Sequence, residues 1–173
     1  MRQFTLRSIK RILVLTAALS ATSCGIYALS DGSGCFVAGT PISTPDGPRA
    51  IELLGPGDSV YSWDKDSDQI VIGVVEALIV HEKTKPWTLT LSNGKTLRVT
   101  PEHPLYQSGQ NIWAPVSQLK TGDQLRHLDE QTRQPGALAI TSIEAQDVEE
   151  RTFNIKVRRY ENSFAGGLLA HFY

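Results

Sequence analysis

Apolar and polar positions along the chain alternate in short runs that stop at turn residues. Residues 59–63, 70–80, 88–91, 96–99 and 152–157 each follow this pattern, which predicts a succession of short strands. Asn93-Gly94 lies between the alternating pairs Leu89/Leu91 and Leu97/Val99, and predicts a type I′ hairpin turn with both turn residues at positive φ. No segment sustains a 3.6-residue period. The pattern therefore predicts an all-β chain, with sandwiches and barrels among its possible architectures.

A self-comparison narrows the choice. At an offset of 65 residues, Leu54-x-x-Gly57-Asp58-x-Val60 matches Leu119-x-x-Gly122-Asp123-x-Leu125, and Asp64 falls on Asp129. Each copy runs on into an apolar strand pair, 70–91 and then 138–157. At a slightly larger offset the copies end in His103 and His171. Order, spacing and terminal histidines together predict two related β halves about a pseudo-two-fold axis. The start of the first half and the end of the second are expected to lie close in space.

The first 23 residues are unlike the rest. They hold four basic residues (Arg2, Arg7, Lys10, Arg11) and no acid, so the remaining chain carries 13 basic against 18 acidic residues, net −5. Mild acidity without a Lys/Arg stripe argues against a nucleic-acid partner. With 40% hydrophobic and 20% charged residues, the chain is neither disordered nor an integral membrane bundle. The basic start, the apolar run 12–19 and the small residues 20–23 form a secretory signal, too short to span a membrane. The small-residue run ending in Cys24 resembles the lipobox of bacterial lipoproteins, which implies lipidation of Cys24 and cleavage before it, with Ala21 standing where that family usually has Leu. The alternative is an ordinary signal peptide cut nearby. Residues 1–23 thus read as a signal peptide, 24–34 as a lipidated linker and 35–173 as the folded domain, exported and either membrane-anchored or secreted.

Three elements carry candidate chemistry. Cys35 opens the domain directly after Gly34, and as a thiolate it would be a nucleophile. Read alone, it is equally a small buried apolar residue, or half of a 24–35 disulfide if Cys24 is unmodified. Thr100-Pro101-Glu102-His103-Pro104 holds a histidine on a turn that its prolines keep from being helical, with Thr100 supplying a hydroxyl and Glu102 a solvated loop charge. Residues 162–173 form an apolar strand that runs almost to the end of the sequence and carries His171 near its tip. His81 and His127 have no partner at ligand spacing, so neither a metal nor another cofactor is expected. Trp63, Trp87 and Trp113 either pack the core and hairpins or line a substrate cleft.

Taken together, these residues resemble the Hint superfamily of inteins, hedgehog autoprocessing domains and bacterial intein-like domains. Residues 34–42 look like its opening block, Thr100-x-x-His103 like its TxxH block, and residues 152–157 with 162–171 like its closing blocks. The resemblance implies a compact, horseshoe-like all-β fold over 35–173. It also implies that Cys35 Sγ attacks the Gly34 carbonyl and turns the 34–35 peptide bond into a thioester. His103 is then the proton donor to the Cys35 nitrogen, and Thr100 orients the strained amide or the tetrahedral intermediate. His171 and Asn154 complete the implied site, Asn154 standing where many inteins carry an acidic residue. In splicing members the penultimate histidine assists cyclisation of an asparagine. Here Phe172 follows His171, and phenylalanine has no amide to cyclise. The expected activity is single-turnover N-terminal autocleavage without splicing. Its substrate is the chain's own N-terminal segment, and an external thiol or water resolves the thioester. The alternatives are an inactive Hint-fold lipoprotein serving as a surface or interaction module, in one form part of a secreted toxin system, and a free-standing cysteine protease.

Overall fold

The computed structural model describes residues 34–172; the expected signal peptide at 1–23, Cys24 and the expected linker up to residue 33 lie outside the described residues. The strands are β1 (Phe36–Val37), β2 (Pro41–Ile42), β3 (Arg49–Ala50), β4 (Ser59–Asp64), β5 (Gln69–Thr84), β6 (Trp87–Leu91) and β7 (Thr96–Val99). They continue as β8 (Pro104–Gln107), β9 (Ile112–Pro115), β10 (Gln124–Leu128), β11 (Pro135–Ala145), β12 (Glu150–Arg158), β13 (Asn162–Ala165) and β14 (Leu168–His171). The only helical pieces among the described residues are two short 3₁₀ turns, Ile51–Leu53 and Val116–Gln118. The all-β expectation holds.

The strands form one antiparallel sheet in the order β3-β2-β13-β14-β8-β10-β11-β6-β7-β1-β12-β5-β4, with β9 flanking β8. Its last strand folds back over its beginning. The Ser62 hydroxyl donates to the Asn162 carbonyl at 2.7 Å, and Asn162 brackets Trp63 by accepting from its N–H and donating to its carbonyl. These bonds stitch β4 onto β13, so the sheet wraps around its own core as a compact horseshoe.

The duplication read from the sequence appears bond for bond. The two 3₁₀ turns lie 65 residues apart. Leu54 N–H donates to Ile51 and Leu119 N–H to Val116; Gly57 N–H donates to Val75 and Gly122 N–H to Ile140. In each half an aspartate, Asp58 or Asp123, accepts from a backbone N–H three residues earlier at 2.8 Å. Gly57 and Gly122 sit at φ 95° and 96°, a conformation that side chains with a Cβ rarely adopt. Equal turn geometry at equal positions builds the two halves about a shared core. Phe36, Ile42, Val60, Leu97, Leu105, Leu125, Ile155 and Phe172 all belong to that core, so both ends of the described chain are buried in it.

One turn differs from expectation. Gly94 has φ 80°, but Asn93 is not at positive φ, which excludes a type I′ turn. Gly94 N–H donates to Leu91, Leu91 N–H donates to Lys95, and the Asn93 side chain accepts from Lys95 N–H. The hairpin closes instead by a type I turn followed by a left-handed glycine. Asparagine there serves as a side-chain acceptor, so it has no need of the left-handed region itself.

Candidate functional site

The short strand β1 lies between β7 and β12, with Phe36 opposite Val99 on one side and Phe153 on the other. The residues just before it, Gly34 and Cys35, therefore fall between the end of β7, where Thr100 stands, and the middle of β12, where Thr152 and Asn154 share one face. Cys35 is 1% exposed, and Thr152 and Asn154 are fully buried.

The peptide bond joining Gly34 to Cys35 is held at both of its polar atoms. Cys35 N–H donates to Thr100 Oγ1 at 2.8 Å, and Thr100 N–H returns a bond to the Cys35 carbonyl at 2.8 Å. Asn154 Nδ2 donates to the Gly34 carbonyl oxygen at 2.8 Å, while Asn154 Oδ1 accepts from Ile155 N–H. That second bond fixes which end of the amide faces Gly34. The position holds a donor aimed at the carbonyl, something an ionised carboxylate cannot supply.

Gly34 also packs directly on His103. A Cβ placed on Gly34 would stand 2.0 Å from His103 Cα and 2.2 Å from His103 Cβ. His103 is placed by its turn: its N–H donates to the Thr100 carbonyl, and its carbonyl accepts from Val116 N–H. The ring is fully buried, tilted against Phe36 at 4.2 Å and edge-on to Phe172 at 5.7 Å. Its nitrogens lie beside the Gly34 and His171 backbone, and neither makes a well-formed hydrogen bond. Burial pushes the His103 pKa down to about 3, only partly offset by those two backbone groups.

Burial likewise raises the Cys35 thiol to about 11; a hydrogen bond from Thr152 pulls it down, and the negative charge of exposed Glu102 pushes it up. At neutral pH the site therefore holds a neutral thiol and a neutral imidazole. There is no resting thiolate–imidazolium pair.

The structure thus gathers Gly34, Cys35, Thr100, His103 and Asn154 around one bond. It does not bring the His171 ring to that bond. Successive residues of β14 point to opposite faces: Ala170 and Phe172 join the core that surrounds His103, whereas Leu169 faces a second cluster with Trp63 and Tyr106. His171 follows Leu169 to that side, its ring edge-on to Trp113 at 5.3 Å, where burial lowers its pKa. There it lines a cavity of about 280 Å³ with Trp63, Trp113 and Tyr160. Its backbone lies beside the His103 ring, and its imidazole bears on His103 through charge, helping to lower the His103 pKa. Trp87, by contrast, packs against the main core.

Thr152 is the site residue that a reading of single motifs misses, because a threonine in a strand is an ordinary β-former. The usable signal is its spacing, two residues before Asn154 and so on the same face. Among the described residues no three His, Cys, Asp or Glu side chains are grouped to hold a metal ion.

Residues 41–171 match the family model of the pretoxin HINT domain. The chain belongs to the pretoxin HINT family. Thr100, His103, Thr152, Asn154 and His171 lie inside the matched stretch, and Gly34 and Cys35 lie outside it, seven and six residues before its start. Among solved structures, this HINT domain is similar to a bacterial intein-like domain from Clostridium thermocellum. That match has 28% identity and a TM-score of 0.68, covering 79% of this chain and 97% of that one. It also shares its fold with a DnaB intein from Synechocystis sp. PCC 6803, at 16% identity and TM-score 0.73 over 81% of this chain and 99% of that one. The Ssp DnaB mini-intein variant M86 superposes with TM-score 0.73 at 18% identity, covering 81% and 94% of the two chains. A comparison with curated proteins finds no match.

Proposed function

We propose that this HINT domain cleaves its own chain between Gly34 and Cys35 through a thioester, once per molecule. The observation that carries the reading is the double grip on a buried peptide bond, Asn154 on its oxygen and Thr100 on its nitrogen, with a cysteine side chain attached to the bond itself. Nucleophile and electrophile are covalent neighbours, which gives a very high effective concentration.

In the proposed step Cys35 Sγ bonds to the Gly34 carbonyl carbon as its S–H bond breaks. Charge gathers on the Gly34 oxygen, where Asn154 Nδ2 already donates. Neutral His103 takes the thiol proton and, as an acid with a pKa near 3, returns it readily to the Cys35 nitrogen when the C–N bond breaks. Thr100 holds that nitrogen in place throughout. The shift is an isomerisation that leaves no net charge. Water or an external thiol then attacks the thioester and releases the segment ending at Gly34.

Asparagine cyclisation has no part in this reading, because Phe172 carries no amide and its ring is buried against Phe36 and His103. On the export reading of the N-terminus, the cut frees residues 35–173 from a lipid-anchored 24–34 peptide at the cell envelope. A second reading keeps the fold as an inactive surface or interaction module. The resting neutrality of both Cys35 and His103 favours it.

Intact mass separates the two. A chain with residues 1–24 replaced by a soluble tag is followed with and without added thiol, beside its Cys35→Ala variant. A thiol-accelerated fragment beginning at Cys35, absent from the variant, supports autocleavage. An uncut chain under all conditions leaves the inactive module. Cleavage that persists in Cys35→Ala removes the thioester mechanism.

A further inference from the structure

The mechanism above leaves one buried polar group next to the nucleophile unused. Thr152 is fully buried on β12, two residues from Asn154 and therefore on the same face. Its hydroxyl is hydrogen-bonded to Cys35. Behind it stands Thr84 at the end of β5, whose Oγ1 lies 2.9 Å from Thr152 Oγ1 and 3.2 Å from the Glu150 carbonyl. Thr84 pairs with Glu150 and Thr152 with His81, so three residue steps of β5 face two of β12; at this bulge Thr84 comes alongside Thr152.

The hydroxyl hydrogens can be counted. A threonine donates once. As the thiol loses its proton Sγ can only accept, so the Thr152 hydrogen goes to Cys35 and Thr152 Oγ1 takes the Thr84 hydrogen in its place across 2.9 Å.

We infer that Thr152 is a positioning residue for the nucleophile: its hydroxyl, oriented by Thr84, donates to Cys35 Sγ and stabilises the thiolate as it forms. Two adjacent same-face positions of one strand then serve the two reacting atoms, Thr152 the sulfur and Asn154 the carbonyl oxygen. The inference rests on the proposed autocleavage and deepens it. A valine at 152 preserves shape and strand preference and loses only the hydroxyl. In a site where burial already pushes the thiol up, that loss pushes it further.

The test compares the full chain with its Thr152→Val, Thr152→Ser and Thr84→Val variants, each also carrying Cys24→Ser so that Cys35 is the only thiol. Thiol-induced cleavage is timed across pH. Thr152→Val is expected to slow cleavage about tenfold at neutral pH and to move the pH–rate curve about one unit to higher pH, the effect of losing one hydrogen bond to a charged group. Thr152→Ser is expected to restore both, and Thr84→Val to shift in the same direction by less. A structural role alone would change melting temperature without moving the pH curve. A Thr152→Val profile that overlays the parent overturns the inference. If the parent itself never cleaves, the autocleavage reading fails separately, and the hydrogen bond is read from the pH titration of the Cys35 ¹³Cβ resonance. A midpoint raised in Thr152→Val supports it, and an unchanged midpoint overturns it.

Discussion

Asn154 donates its side-chain amide to the carbonyl oxygen of Gly34 at 2.8 Å, 120 residues away along the chain. The contact exists before any reaction, so the donor is already aimed where charge would develop. Removing it with Asn154→Ala is expected to slow thiol-induced cleavage by about 10²–10³-fold, the usual cost of losing one such donor. Asn154→Asp supplies a donor only while its carboxyl is protonated, and burial raises the pKa of that carboxyl. Its rate is expected to fall as pH rises through that pKa. Single-turnover cleavage followed by mass at several pH values checks both, and an Asp variant as fast as the parent at alkaline pH would contradict the donor role.

Gly34 faces a constraint of space. An added methyl would overlap the His103 backbone at 2.0 Å, and backbone cannot swing aside as a flexible side chain can. The segment ahead of β1 would have to leave its seat, which breaks the aim of Asn154 and Thr100 on the bond. Gly34→Ala is expected to lose about 10²-fold in cleavage rate. Its melting temperature should stay close to the parent's, because β1 and the core beyond it are untouched. A variant that cleaves at the parent rate would show that the described seat is not the reacting one.

Much of this was open to sequence reasoning because it is local or repeated. The Gly57-Asp58 and Gly122-Asp123 turns carry their instructions in adjacent residues, so the duplication could be read at a fixed offset. Thr100 and His103 likewise share one proline-bounded turn. What escaped depends on distant partners. Asn154 can aim an amide at Gly34 only because β1 pairs with β12, and Thr152 acquires a role only through a bulge beside Thr84. The face taken by the His171 ring depends on which cluster each side of β14 meets, and alternation alone does not say that.

His103 makes stability depend on pH. Its folded pKa, near 3, lies below the ordinary 6.5, so between those values the unfolded chain binds the extra proton. Stability is therefore fully present above about pH 6.5 and is lost as pH falls toward 3. One such group tilts the unfolding free energy by up to about 1.4 kcal/mol per pH unit in that window. His127 and His171 are shifted in the same direction by burial, so some slope remains without His103. His103→Gln is expected to flatten the curve whatever it does to absolute stability. Urea unfolding at several pH values between about 4 and 7 tests this, and parallel curves for parent and variant would rule it out.

Phe172 closes the chain onto the site. It is fully buried with its ring 5.6 Å from Phe36 and 5.7 Å from His103, and its N–H donates to Glu161 at 2.7 Å. Phe172→Ala is expected to cost about 3–5 kcal/mol, the range for removing a buried phenylalanine ring. The same change admits water beside the imidazole. Because burial is the main cause of the low His103 pKa, that pKa should rise toward 6.5 as the ring is wetted. Phe172→Leu fills most of the space and should move both quantities less. Chemical denaturation gives the first number, and an NMR titration of the His103 ring gives the second. If stability falls while the His103 titration stays put, Phe172 is an anchor for β14 and does not keep the site dry.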